Sequence, residues 1–90
     1  MSVTRVDLEI YVEEGCRVCR RSLELADHVR RRFPDIDVRI IDGLGSGGRY
    51  EDLVFATPTF ILNGGRVSLG NPSVAQLEAA IVAAMKDLAV

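Results

Sequence analysis

Tryptophan is absent from this chain, histidine occurs once and cysteine twice. Each scarcity excludes something. A structural zinc site needs about four protein ligands. Besides Cys16 and Cys19 the only comparable ligand is His28, further along the same predicted helix and badly placed as a third. No metal site within one chain is therefore expected, and no cofactor. An excess of either charge is also missing: 11 basic and 13 acidic residues leave a net charge of −2, which gives no electrostatic case for nucleic acid or an anionic membrane. The clusters Arg17, Arg20, Arg21 and Arg30, Arg31, Arg32 read as solvated helix faces. Long apolar runs are lacking too. Nothing is long enough to span a bilayer, and Met1–Asp7 has no apolar stretch of the signal-peptide kind. The expectation is a cytoplasmic protein.

The 90 residues suffice for one domain, 1–90, near the lower end of what a single apolar core stabilises. Val6, Leu8, Ile10 and Val12 alternate with Asp7, Glu9 and Tyr11, the period of a strand. From Arg17 the period becomes helical, with Val18, Ser22, Leu25, Ala26, Val29 and Phe33 on one face until Pro34 stops the helix. Ile36, Val38 and Ile40 predict a second strand, parallel to the first because the connection is long enough to hold a helix. A loop containing Gly43, Gly45, Gly47 and Gly48 follows, then a helical turn or two is expected over Arg49–Phe55. Thr59–Leu62 and Arg66–Leu69 predict a hairpin about Asn63-Gly64-Gly65. Ser73 is an N-cap candidate for a last helix with the stripe Val74, Leu77, Ile81, Ala84 and Leu88. The expected class is α/β, in the order β-α-β-(short α)-β-β-α. Asp7 and Glu9 point away from the main helices. The segment that would cover them is short and glycine-rich, so that side of the sheet is expected to be thinly covered, with the second helix reduced or disordered, and open as a partner surface.

The chemistry-bearing feature is the close cysteine pair. In a reducing compartment a structural disulfide is not expected, and closing so short a loop adds little chain-entropy stabilisation. Redox work or metal binding explains the spacing better. Cys16 stands where a strand gives way to a helix. Unpaired N–H groups of a first helical turn, the helix dipole and the nearby Arg17 and Arg20 all favour a thiolate there. Cys19 follows nearly one turn later, within reach. A better-exposed Cys16 would attack a disulfide, and a more inward Cys19 would resolve the mixed disulfide.

The strand leading to C-R-V-C at 16–19, the A-T-P-T segment at 56–59, the hairpin after it and Gly70 at its close resemble the thioredoxin and glutaredoxin superfamily over essentially the whole chain. The resemblance implies a thioredoxin-like fold with a mixed four-stranded sheet, and a cis Thr57–Pro58 bond facing the cysteines. It also implies that the backbone of Thr57 is available to pair with an extended substrate. Four departures narrow it. Gly15 replaces the tryptophan usual before the first cysteine, and Arg17-Val18 replaces Gly-Pro. Ile10 stands where thioredoxins bury an acid. Gly70-Asn71-Pro72-Ser73 replaces the Gly-Gly and following Asp with which glutaredoxins hold glutathione.

Three functions remain open on these residues. The leading one is a thiol–disulfide oxidoreductase using Cys16 and Cys19, with Thr57 and Pro58 binding substrate and Arg17 activating. Its partners would be a disulfide-containing protein substrate and a reducing partner. The second is a non-catalytic interaction module, since the I-Y-V near residue 10 and the A-T-P-T near residue 56 also resemble the KaiB family, which generally lacks the cysteine pair. The third is transfer of a metal between thiolates. His28 is expected to decorate a solvated helix face.

Overall fold

A computed structural model describes residues 5–43, 54 and 56–88. Among them the chain forms β1 (Asp7–Val12), α1 (Cys19–Arg32), β2 (Asp37–Asp42), β3 (Thr59–Leu62), β4 (Gly65–Leu69) and α2 (Val74–Leu88). The sheet order is β2-β1-β3-β4, with β1 parallel to β2 and antiparallel to β3, and β3 antiparallel to β4. This is the mixed four-stranded α/β arrangement that the sequence predicts. The helical turns expected over Arg49–Phe55, and the glycine-rich loop beyond Gly43, lie outside the described residues except for Val54. No described helix is long and apolar enough to cross a membrane.

Alternation along β1 divides its side chains between two environments. Leu8, Ile10 and Val12 join Leu25, Ala26 and Val29 of α1, Phe60 and Leu62 of β3, and Leu77 and Ile81 of α2 in the main core. Tyr11, on the opposite face, packs with Ile41, Val54 and Ile61. The expectation of thin cover on that face fails along β1, where Asp7 and Glu9 are buried together with Tyr11. The reason lies in pairing as well as polarity. Glu9 accepts hydrogen bonds from the Tyr11 hydroxyl at 2.5 Å and from Arg39 of β2 at 3.1 Å, so its charge is compensated where the sequence pattern suggested exposure.

Local chemistry sets the joints. Asn63 and Gly64 both take positive φ, 48° and 82°, the backbone of a two-residue hairpin turn whose twist matches the strands. The Asn63 amide oxygen also accepts the Asp7 N–H at 2.8 Å, fastening the hairpin to β1. At the head of α2 the Ser73 hydroxyl accepts the Gln76 N–H at 3.1 Å, and the Gln76 side chain accepts the Ser73 N–H at 3.3 Å. That is a reciprocal capping box. Two expectations for the helices need correcting. The first helix starts at Cys19, later than Arg17, and Val18 is its N-cap residue. Lying ahead of the first turn, Val18 escapes the apolar stripe and is 53% exposed.

Candidate redox site

Strand β1 ends at Val12, and residues 13–18 turn the chain into α1. Gly15 supplies the positive φ of 84° that this reversal needs. The Cys16 N–H donates to the Glu13 carbonyl at 3.2 Å, and the Cys19 N–H to the Cys16 carbonyl at 3.4 Å. The two cysteines thus sit on one tight turn, their Cα atoms 5.4 Å apart, and are joined by a disulfide. Such a separation is ordinary for a bridged pair. Their surroundings differ. Cys19 begins α1 and is 6% exposed within the core, whereas Cys16 is half-buried at its margin. A nucleophile arriving from solvent, or a substrate sulfur, meets Cys16 first.

Because α1 begins at Cys19, Cys16 lies just ahead of the helix and outside its first turn. The positive end of the helix still lies towards it. Arg17 and Arg20 are exposed, and among the described residues neither makes a salt bridge, while Arg21 pairs with Glu24 at 3.3 Å. The first two therefore keep their charge undivided beside the cysteines in the chain. Val18, between the cysteines, and Leu69, at the end of β4, are large apolar side chains that remain more than half exposed.

The Thr57–Pro58 bond is cis, as the resemblance implied. Pro58 is buried and Thr57 half-buried, immediately before β3. Two hydrogen bonds fix this corner. The Gly70 N–H donates to the Pro58 carbonyl at 2.8 Å. The Thr57 hydroxyl donates to the Glu13 carboxylate at 3.1 Å. Since the backbone carbonyl of the same Glu13 receives the Cys16 N–H, one residue connects the Thr57–Pro58 corner with the cysteine turn.

A second connection runs through Asn71, in the segment between β4 and α2. Its side-chain N–H donates to the Val18 carbonyl at 2.8 Å, and its oxygen accepts the hydroxyl of the fully buried Ser22 at 2.5 Å. Sequence reasoning named Cys16, Cys19, Arg17, Thr57 and Pro58, but missed Glu13, Ser22 and Asn71 as parts of the frame. Ser22 looked like a small residue in an apolar stripe. Asn71 looked like a turn residue after Gly70, and nothing local signals its reach to a helix 49 positions away.

Two further placements bear on the chemistry. Ile10, where thioredoxins bury an acid, lies in the main core. The fully buried acid Glu9 is its neighbour, but alternation turns Glu9 to the opposite face of the sheet, against Tyr11. His28 corrects the expectation of a solvated face. It is half-buried between the helices, with Nε2 2.6 Å from a carboxylate oxygen of Glu78 on α2. Among the described residues no group of three or more His, Cys, Asp or Glu could hold a metal ion.

No family model and no curated protein sequence matches the chain. Solved structures do. A selenoprotein W-related protein from Vibrio cholerae superposes with a TM-score of 0.67 at 20% identity, over 90% of this chain and 98% of that one. Thioredoxin 1 from Thermosipho africanus gives a TM-score of 0.66 at 24% identity, over 89% of this chain and 94% of that one. Thioredoxin O2 from Arabidopsis thaliana, in its oxidized state, gives 0.64 at 17% identity, over 89% and 75% respectively. At these identities the likeness establishes the fold, and the fold is that of thioredoxin.

Proposed function

We propose that this chain is a thiol–disulfide oxidoreductase that reduces protein disulfides through the Cys16–Cys19 couple. The observation that carries the reading is the asymmetry of the bonded pair, with a half-buried Cys16 and a core-facing Cys19 on a single turn ahead of a helix.

In the reduced protein the Cys16 thiolate attacks one sulfur of the substrate disulfide. That S–S bond breaks, a mixed disulfide forms, and the other substrate sulfur leaves as a thiolate and takes up a proton. The Cys19 sulfur, after losing its proton, then attacks the Cys16 sulfur. The mixed disulfide breaks, the second substrate thiol departs, and the intramolecular bond closes. Two electrons have passed to the substrate, and a reducing partner must return them. The positive end of α1 and the charge of Arg17 favour the attacking thiolate. The backbone of Thr57, with Pro58, receives an extended stretch of the substrate beside its disulfide. We further propose a cytoplasmic setting, where such a couple would work against the thiol pool.

The deciding measurement is a redox titration of the pair against glutathione, combined with single serine variants. The expected result is reversible cycling, alkylation of Cys16 ahead of Cys19 at a pH below the ordinary thiol range, and loss of disulfide reduction in Cys16→Ser. Cys19→Ser is expected to accumulate the mixed disulfide. A Cys16 that titrates as an ordinary thiol, together with a fully active Cys16→Ser, overturns the reading. Biological activity surviving in the double Ser variant would mark a binding module instead. Stoichiometric zinc or copper on the reduced protein would mark metal transfer.

A further inference from the structure

The side chain of Asn71 bridges the first turn of α1 from outside. It holds Val18, the residue between the cysteines, through the carbonyl at 2.8 Å, and its own oxygen is oriented by the Ser22 hydroxyl at 2.5 Å. Val18 offers no side-chain cap to the helix it begins. Its carbonyl also receives the Arg21 N–H at 3.2 Å, so external and helical donors converge on one oxygen. Asn71 is itself well anchored. Gly70 before it takes a φ of +87° and donates its N–H to Pro58, and Pro72 after it is buried. The amide therefore reaches the cysteine turn from a support fixed to the sheet.

We propose that Asn71 is a positioning residue that sets the reduction potential of the Cys16–Cys19 couple by holding the 16–19 turn in its closed form in both redox states. The inference rests on the oxidoreductase reading and deepens it. When the disulfide takes up two electrons and two protons, its S–S bond breaks and the turn is released from its covalent constraint. The freedom the turn then gains favours the reduced state. A hydrogen bond to the Val18 carbonyl denies the reduced turn part of that freedom. Cys19 stays near Cys16, re-closure is favoured, and the couple is more reducing than the same turn left loose. Asn suits the task because one planar amide provides the donor for Val18 and the acceptor that Ser22 needs to fix its orientation.

The experiment compares wild type, Asn71→Ala, Asn71→Asp and Ser22→Ala by redox titration against glutathione and by thermal unfolding of both the oxidised and reduced forms. Asn71→Ala is expected to lower the equilibrium constant for disulfide closure about tenfold, a rise in potential of about 30 mV. Its oxidised form should lose more stability than its reduced form, because the potential shift and the difference in destabilisation are two sides of one thermodynamic cycle. Asn71→Asp keeps the acceptor for Ser22 but loses the donor to Val18, and is expected to follow Asn71→Ala. Ser22→Ala should shift the potential in the same direction by less. It also serves as the readout should Asn71→Ala fail to fold. A merely structural role predicts equal destabilisation of the two forms and an unmoved potential, and that result overturns the proposal, as does a fall in potential. A wild-type pair that does not cycle reversibly sinks the oxidoreductase reading itself. A wild-type pair that cycles while the variants match it sinks only the role of Asn71.

Discussion

The hydroxyl of Thr57 and the carboxylate of Glu13, 44 positions apart in the chain, meet in a hydrogen bond of 3.1 Å. It is a direct side-chain tie between Thr57, ahead of β3, and the segment that leads into the cysteines. Being exposed, it carries little stability: Thr57→Val is expected to cost no more than about 1 kcal/mol in denaturant unfolding. On the proposed reading, in which the Thr57 backbone receives substrate beside Cys16, its effect on exchange should be larger. A fall of about tenfold in the rate of reducing a protein disulfide is expected for Thr57→Val. Glu13→Gln, which retains an acceptor oxygen, should stay near wild type. Equal rates in Thr57→Val and wild type would remove Thr57 from the substrate frame.

Arg17 is exposed, and its charge is not shared with a carboxylate among the described residues. Removing a cation beside a thiolate disfavours the charged form, so the sign of the effect is a rise in the Cys16 pKa. Through a watery surface the interaction amounts to less than about 1 kcal/mol. Arg17→Ala should therefore raise the Cys16 pKa, and Arg17→Glu should raise it further. The check is the pH dependence of alkylation of the reduced protein. Both gaps should shrink at about 1 M salt, where the screening length falls to roughly 3 Å; a gap that persists would point to a contact rather than a field.

Glu9 presents a separate test on the far face of the sheet. Its side chain is fully buried and is held by Tyr11 and Arg39. Tyr11→Phe removes one donor without changing the ring, and is expected to cost about 1–2 kcal/mol. Arg39→Ala takes an ion-pair partner from a buried carboxylate. Its cost should reach about 2–3 kcal/mol, below the range for fully buried pairs because the Arg39 side chain is 38% exposed and water can partly replace it. Denaturant unfolding measures both. The redox behaviour of the cysteines should be unchanged in either variant, because this cluster lies across the sheet from the main core.

The fold was legible because its signals are periodic and local. The alternation of residues 6–12, the 3–4 spacing of Leu25, Ala26 and Val29, and the Asn63-Gly64 turn each name an element without reference to any other. Ser73 announces its helix through Gln76 in the same way. The cysteine pair was legible too, as spacing and position at a strand-to-helix junction. What escaped was tertiary. The main-chain oxygen of Val18 attracts Asn71 only once the segment after β4 has come back to the start of α1. The pairing of Glu9 depends on β2 bringing Arg39 alongside β1. His28 meets Glu78 only when the two helices are packed, so a helical wheel of α1 alone puts it in solvent. Boundary errors had a similar origin: the apolar period extrapolated back through Val18 and Arg17 takes no account of the turn that ties the cysteines together.

One irregularity in the hairpin bears on how the molecule avoids unwanted company. Between Phe60 and Ile61 the register slips, so that Phe60 faces Ser68 while Ile61 faces Arg66, leaving Val67 as the extra residue on β4. Among the described residues β4 is an outer strand of the sheet. A bulge there interrupts the even row of amides and carbonyls that another chain's strand would need as a template, and the charged Arg66 stands beside the interruption. That flank is thus ill-suited to receiving an extended polypeptide as a fifth strand. Self-propagating strand addition, in which each added copy would offer a fresh edge to the next, is discouraged at its first step.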